Sequence, residues 1–294
     1  MRYFYGLTLI ATLFATPAAA SEGGAEAYPN GADTQRVAVL PPPGTYVLTY
    51  TTYYTADRIN DASGDALPIP VKIDAEAQIA RIAHVSSTKI LGATWAQHVL
   101  VPLVNLRTKI GGHSDNRTGL GDIIVNPIIL SWNVGKNSHI AAGIDTFIPI
   151  GEYRSTRQAN LGRNYWTFQP IVTYSYYDPA GPELTVKVMY DLNTKNKATD
   201  YKTGETIHTD FSAGYNLDKL TLGVTGYYSK QVKDDRQNGA MVGPNGNRGE
   251  LFAVGPMLRY QLGHVPISAE WQHEFVAHNR SQGDRFWVKA AFRF

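Results

Sequence analysis

The stretch Val71-Lys72-Ile73-Asp74-Ala75-Glu76-Ala77-Gln78-Ile79 decides the fold. Its odd positions are all apolar and its even positions are all polar or charged. Period two is the signature of a β-strand with one apolar and one polar face, whereas a helix would scatter both sets around its axis. A soluble sandwich would put larger side chains on its buried face. Small apolar residues against lipid and polar ones against a wet interior suit a membrane barrel. On that reading Lys72, Asp74, Glu76 and Gln78 line a lumen.

The pattern recurs along the chain. Lys187 and Asp191 alternate with Leu184, Val186, Val188, Tyr190 and Leu192. His208 and Asp210 alternate with Ile207, Thr209 and Phe211; Glu270, Gln272 and Glu274 alternate with Ile267, Ala269, Trp271 and Phe275. The last stretch, 285–294, sets Lys289 and Arg293 between Phe286, Val288, Ala290, Phe292 and Phe294. Parity therefore adds Lys187, Asp191, His208, Asp210, Glu270, Gln272, Glu274, Lys289 and Arg293 to the lumen. The mixture of signs favours bracing of the wall over a single-sign selectivity ring. Weaker alternation covers 44–55, 90–107, 123–133, 139–149, 165–177, 220–230 and 251–262, for twelve predicted strands.

Connections between these strands alternate in length. Long ones are expected at 56–70, 108–122, 150–164, 194–205, 231–250 and 277–284, and short ones at 86–89, 134–138, 178–183, 216–219 and 263–264. Long extracellular loops and tight periplasmic turns are the asymmetry of a bacterial barrel. The fold class expected is therefore all-β, a transmembrane antiparallel up-and-down barrel over 44–294 with both termini in the periplasm. Closure is physically required, because an unpaired backbone N–H or C=O in lipid costs several kcal/mol.

The composition agrees. Arg2, the apolar run 4–16 and Ala18-Ala19-Ala20 form a secretory leader, with cleavage expected near Ala20. The expected destination is the outer membrane of a Gram-negative bacterium, its lipid the surrounding partner. A terminal strand ending on Phe294 resembles the signal read by the barrel-assembly machinery. The net charge of +2 gives no basic face for nucleic acid. Absence of cysteine excludes disulfides and thiolate chemistry. Eighteen tyrosines and five tryptophans suit side chains that sit where a membrane meets water.

Residues 21–43 end in Pro41-Pro42-Pro43, which cannot join a ladder. They form either a periplasmic tail or a plug inside the lumen. Pro102 and Pro127 fall on neighbouring predicted strands and each deletes a ladder donor. They either end pairing near a rim or weaken a seam that opens sideways as a lateral gate.

Catalytic patterns are thin. His273-Glu274 with His278 misses the helical zinc spacing. Asp57, Asp61 and Asp65 fail the spacing of a calcium loop. Ser138 and His139 point to opposite faces of an extended strand. No catalytic residue, metal or cofactor is expected.

Several short segments carry a resemblance when taken in order. They are Leu40-Pro41-Pro42-Pro43-Gly44 with Tyr46, Gly119-Leu120-Gly121-Asp122 with Pro127, Pro149-Ile150-Gly151-Glu152-Tyr153, Asn160-Leu161-Gly162-Arg163-Asn164-Tyr165-Trp166 and the run 243–248. From about residue 40 to the end the chain resembles the outer-membrane family labelled "MetA-pathway of phenol degradation". The resemblance implies a twelve-stranded channel for passive uptake of small hydrophobic or aromatic molecules, and no enzyme. The alternatives are an outer-membrane lipase-like enzyme and a non-conducting binding or structural barrel.

Overall fold

A computed structural model describes residues 22–24 and 26–293. The expected leader, its cleavage site and the terminal Phe294 lie outside the described residues. A single turn of 3₁₀ helix, Glu22–Gly24, precedes an all-β structure. Its strands are β1 (Gly44–Ile59), β2 (Val71–Ile90), β3 (Ala93–Ile110), β4 (His113–Leu120), β5 (Ile123–Asn133), β6 (Ser138–Ile148), β7 (Thr167–Tyr177) and β8 (Pro182–Asn193). The two-residue β9 (Tyr201–Lys202) is followed by β10 (Thr206–Leu217) and β11 (Leu220–Gln231). The short β12 (Arg236–Gln237) and β13 (Ala240–Met241) then lead to β14 (Glu250–Leu262), β15 (Val265–His278) and β16 (Ser281–Arg293).

Every neighbour in the main sheet is antiparallel, and β1 pairs with both β2 and β16, so the sheet closes. β4 and β5 lie end to end against β3 and form one interrupted stave, which gives a wall of twelve staves. The outer face carries apolar side chains at every second position, among them Val172, Leu184, Val188, Val224, Val288 and Phe292, all exposed. This is the surface that acyl chains would cover. Stacked aromatic pairs stand on the same face, Trp166 with Phe168 and Trp271 with Phe286.

Turn chemistry explains the shortest connections. Leu91 and Gly92 both have positive φ, 51° and 77°, as a two-residue hairpin turn requires. Gly111 and Gly112, at 58° and 86°, do the same between β3 and β4. Two connections expected to be long are therefore short. The segment 108–122 folds largely into β4, and 277–284 reduces to Asn279-Arg280 between β15 and β16. The short turn expected at 86–89 is strand, since β2 runs on to Ile90. In the loops that are long, β9, β12 and β13 form a separate three-stranded sheet over the mouth.

Candidate functional site: an apolar passage beside a threaded segment

The residues before β1 run through the barrel. Glu22 lies at the long-loop end, where its carboxylate accepts from Tyr153 Oη at 2.9 Å, Asn196 Nδ2 at 2.7 Å and Thr199 Oγ1 at 2.5 Å. Burial and the neighbouring Glu22 push the Tyr153 hydroxyl above its ordinary pKa. Glu26 pairs with Arg280 and accepts from Ser229 Oγ at 2.6 Å. Tyr28 donates to Asp210 at 2.5 Å, and Gly31 N–H donates to the same carboxylate at 2.9 Å. Asp33 is held by Lys187 at 2.9 Å and Arg81 at 3.1 Å. Thr34 and Gln35 donate to Glu270, at 3.0 and 2.8 Å. Arg36 pairs with Glu183 at 2.7 Å. Ala38 N–H donates to Ser175 Oγ at 3.2 Å and its C=O accepts from Ser131 Oγ at 2.7 Å before the chain turns into β1. The segment thus runs through the lumen from the long-loop end of the barrel to the short-turn end. A dry lumen demands this density of pairing, since an unpaired buried charge costs several kcal/mol.

Most of the segment's bonds go to β7, β8, β10, β11 and β14–β16; toward β1, β2, β3 and β5 it makes fewer, chiefly through Tyr50, Arg81 and Ser131. Two cavities remain there. The upper, about 290 Å³, lies under the loop 149–166 and is walled by Ile73, Ala75, Ala77, Leu100, Val104 and Leu106. The lower, about 510 Å³, opens at the short-turn end between residues 32–41 and β1, β2 and β16. A gap of about 10 Å³ separates them, lined by Tyr28, Asp33, Tyr50, Ile79, Leu100 and Ile124. Tyr28, Tyr50, Ile79 and Ile124 also belong to the interior apolar cluster with Phe147, Met189 and Trp287.

The upper wall overturns four parity assignments, all on β2. Directly paired residues share a face of the sheet. Ala77 pairs with buried Thr52, whereas Glu76 pairs with Tyr53, which pairs in turn with exposed Phe286. Lys72, Asp74, Glu76 and Gln78 therefore point outward, not into the lumen. Lys72 donates to Thr55 at 2.6 Å, Asp74 accepts from Tyr53 at 2.8 Å, Glu76 accepts from Arg107 at 2.5 Å and Gln78 from Thr51 at 2.9 Å. The physical reason is length. β2 and β3 have 20 and 18 residues, against the roughly 9–11 that cross a bilayer. Their upper parts rise clear of the acyl chains, so the outward face meets water and the inward face is free to be apolar.

The other nine assignments point inward. Lys187, Asp191, His208, Asp210, Glu270, Gln272 and Glu274 are buried, and Lys289 donates to Glu270 at 2.8 Å. Arg293 lies at the lower rim against Pro43. Sequence parity missed His98, Asn126, Asp145 and Arg259, which stand on strands whose alternation is weak, and Arg81 and Glu183, which lie just outside the alternating runs of β2 and β8. Arg81 Nη2 lies 2.8 Å from His98 Nδ1, and His98 Nε2 lies 3.1 Å from Asp145. The only signal for them was a charged residue inside an otherwise apolar stretch.

Pro102 and Pro127 mark two defects in neighbouring staves. β3 pairs with β5 up to Leu100–Ile124 and with β4 from Leu103–Leu120, so the stave breaks at Gly121-Asp122 opposite Pro102. Pro102 C=O accepts from Gly121 N–H at 2.9 Å. Pro127 sits in a bulge between Val125 and Ile129, where pairing with β6 is lost. Above the break β4 pairs with β3 alone among the described residues, and the loop 149–166 covers its other edge. Asp122 holds that loop: its carboxylate accepts from Gly151 N–H at 2.9 Å and Arg163 N–H at 2.8 Å. Gly151 and Gly162 pack backbone to backbone there, and a Cβ on Gly162 would lie 2.5 Å from the Gly151 carbonyl oxygen. Three segments that carried the family resemblance meet at this point.

Ser138 Oγ lies 3.2 Å from Tyr174 Oη, while His139 Nδ1 lies 2.7 Å from Asn133 Oδ1, so the two are not paired. Asp61 accepts from the N–H groups of Ser63 and Asp65, at 2.8 and 3.0 Å, which is turn chemistry.

Solved structures share the architecture. The COG4313 outer membrane channel from Pseudomonas putida F1 superimposes with a TM-score of 0.79 at 15% identity, over 90% of this chain and 98% of that one. The translocator domain of the autotransporter NalP from Neisseria meningitidis gives a TM-score of 0.50 at 13% identity, over 87% and 90%. At these identities the likeness establishes the fold. No protein of curated function matches the chain. The family described as MetA-pathway of phenol degradation matches residues 56–290, and with that span covered the chain belongs to this family.

Proposed function

We infer that the protein is an outer-membrane channel for passive uptake of small, apolar or aromatic molecules. The observation that carries this reading is the division of the lumen. One half is polar and filled by the threaded segment; the other is an apolar wall with two cavities on a common line, separated by a narrow neck at Tyr28, Ile79 and Leu100. A purely structural barrel has no need to leave an apolar half-lumen open. The upper cavity is close to the lower end of the range for small-molecule pockets, and the lower is well within it. Axial passage requires the neck to widen, and Tyr28 and Asp33 of the threaded segment are the parts of the neck outside the barrel wall.

The test is uptake of N-phenyl-1-naphthylamine, an apolar fluorescent probe, by cells with an intact lipopolysaccharide leaflet. Cells bearing the protein should take it up faster than cells without it. Equal rates would refute the reading.

The broken stave favours a second route. Solute in the upper cavity lies beside Pro102, Gly121 and Leu161, where the ladder is interrupted and only the loop 149–166 closes the wall. A lateral gate at the Pro102 and Pro127 seam would release it into the bilayer. The chain has no cysteine, so a disulfide between Gly119→Cys and Leu161→Cys can be formed without competitors. Oxidation should stop uptake if the route is lateral and leave it unchanged if the route is axial.

A further inference from the structure

The lower cavity differs from the upper in charge. Arg36, Arg81, Arg259, Lys289 and Arg293 line it, and Asp33 is the one carboxylate among its described lining residues. The acids behind this lining do not balance it. Lys289 is matched by Glu270 at 2.8 Å, but Asp33 is shared between Arg81 and Lys187. Arg36 and Arg259 share one carboxylate oxygen, Glu183 Oε2, at 2.7 and 2.9 Å. One of those two guanidinium charges is therefore in excess, and Arg293 adds another at the rim.

Arg36 is fixed before any ligand arrives. Its N–H donates to Thr185 Oγ1 at 2.9 Å, Nη2 donates to Asn216 Oδ1 at 2.7 Å, and the guanidinium plane lies 3.7 Å from the Tyr177 ring centre. Around these cations the cavity is apolar, with Val39, Leu48, Val85, Ile129, Pro266 and Ala291 on its walls. Its volume of about 510 Å³ exceeds that of a benzene ring bearing one small substituent. A planar guanidinium matches a carboxylate in two parallel hydrogen bonds, and the low-dielectric wall strengthens them.

We propose that the lower cavity is a binding site for small aromatic carboxylates, held by the Arg36–Arg259 pair with the ring against the apolar wall. The site rests on the channel reading and narrows it: among aromatic solutes, the anionic ones are retained at the periplasmic end.

The test compares three ligands with one ring and different charge, namely benzoate, benzyl alcohol and benzylamine. Each is titrated into the purified protein in an uncharged detergent, with binding followed by calorimetry. Benzoate should bind most tightly. Arg36→Gln should weaken benzoate about tenfold and leave benzyl alcohol unchanged. Glu183→Gln, which frees the second guanidinium, should strengthen benzoate; this opposite shift cannot arise from a folding defect. Equal affinity for the three ligands, or the same loss of benzoate in both variants, would overturn the proposal. The channel reading is tested separately: if the neutral naphthylamine probe still enters cells while benzoate shows no preference, only the aromatic carboxylate site falls.

Discussion

Asp122 shows what one side chain contributes to this wall. A carboxylate that accepts two backbone N–H groups joins the top of β5 to a loop that follows it by nearly thirty residues. The join works because Gly151 and Gly162 leave no side chain between the two backbones. Gly162→Ala drives a Cβ into the Gly151 carbonyl oxygen, and the neighbour there is backbone, which cannot swing aside. Overpacking of this kind costs about 1–3 kcal/mol. The expected result is release of the loop, seen as faster proteolytic cleavage within 150–163, while the barrel keeps its resistance to detergent unfolding at room temperature. A cleavage rate unchanged from the parent protein would contradict the latch. The sequence around Gly121-Asp122 reads as a tight turn and is one. That its acid clamps a distant loop could not be read locally, because the partners are backbone amides, which have no sequence signature. Lys72, Asp74, Glu76 and Gln78 teach the complementary lesson. Their alternation with Ile73, Ala75 and Ala77 is legible, and the strand is real. Which face meets water depends on how far the strand rises past the bilayer, and that is set by its pairing with β1 and β3.

The threaded segment is the element that fills the lumen. Its backbone has no ladder of its own and is held by side chains from nearly every stave of the polar half. Pro41-Pro42-Pro43 made its exclusion from the sheet legible in advance. Its path was not, because most of its partners, such as Asp210 for Tyr28 and Lys187 for Asp33, lie well over a hundred residues away. Two effects compete when the segment is removed. Breaking a buried ion pair in a dry interior costs about 3–5 kcal/mol, but an emptied lumen fills with water, which solvates Lys187, Asp210, Glu270 and Glu183 instead. Hydration wins, so the barrel survives. Deleting 24–40 should therefore give a folded barrel with markedly larger single-channel conductance. Conductance equal to that of the full chain would show that the segment does not obstruct the pore. The same element scale explains the misjudged connections. Gly111-Gly112 and Asn279-Arg280 make two-residue turns inside stretches that read as long polar loops, since charged upper strands and loops share a composition.

At the scale of the whole molecule, twelve staves close a sheet that no open edge would allow in lipid. The count was legible from strand periodicity, although the fourth stave proved to be two strands laid end to end. Closure at this size leaves more room than side chains alone fill and less than an open aqueous pore. The threaded segment fills part of that room, and beside it the upper parts of β2 and β3 present an apolar wall. A generic porin would be polar on all sides, so this asymmetry is what supports the apolar solute proposed above. It was invisible to parity alone, which assigned polar residues inward on every strand, and it appeared only when the register placed Ile73, Ala75 and Ala77 inside. The most direct measurement is the rate of N-phenyl-1-naphthylamine uptake by cells bearing Ala77→Trp, which fills the upper cavity, beside cells bearing Val188→Trp, which adds the same bulk to the outer face. The apolar passage predicts that Ala77→Trp abolishes the protein-dependent uptake and Val188→Trp preserves it. Equal uptake by both variants at the rate of the parent protein would contradict it.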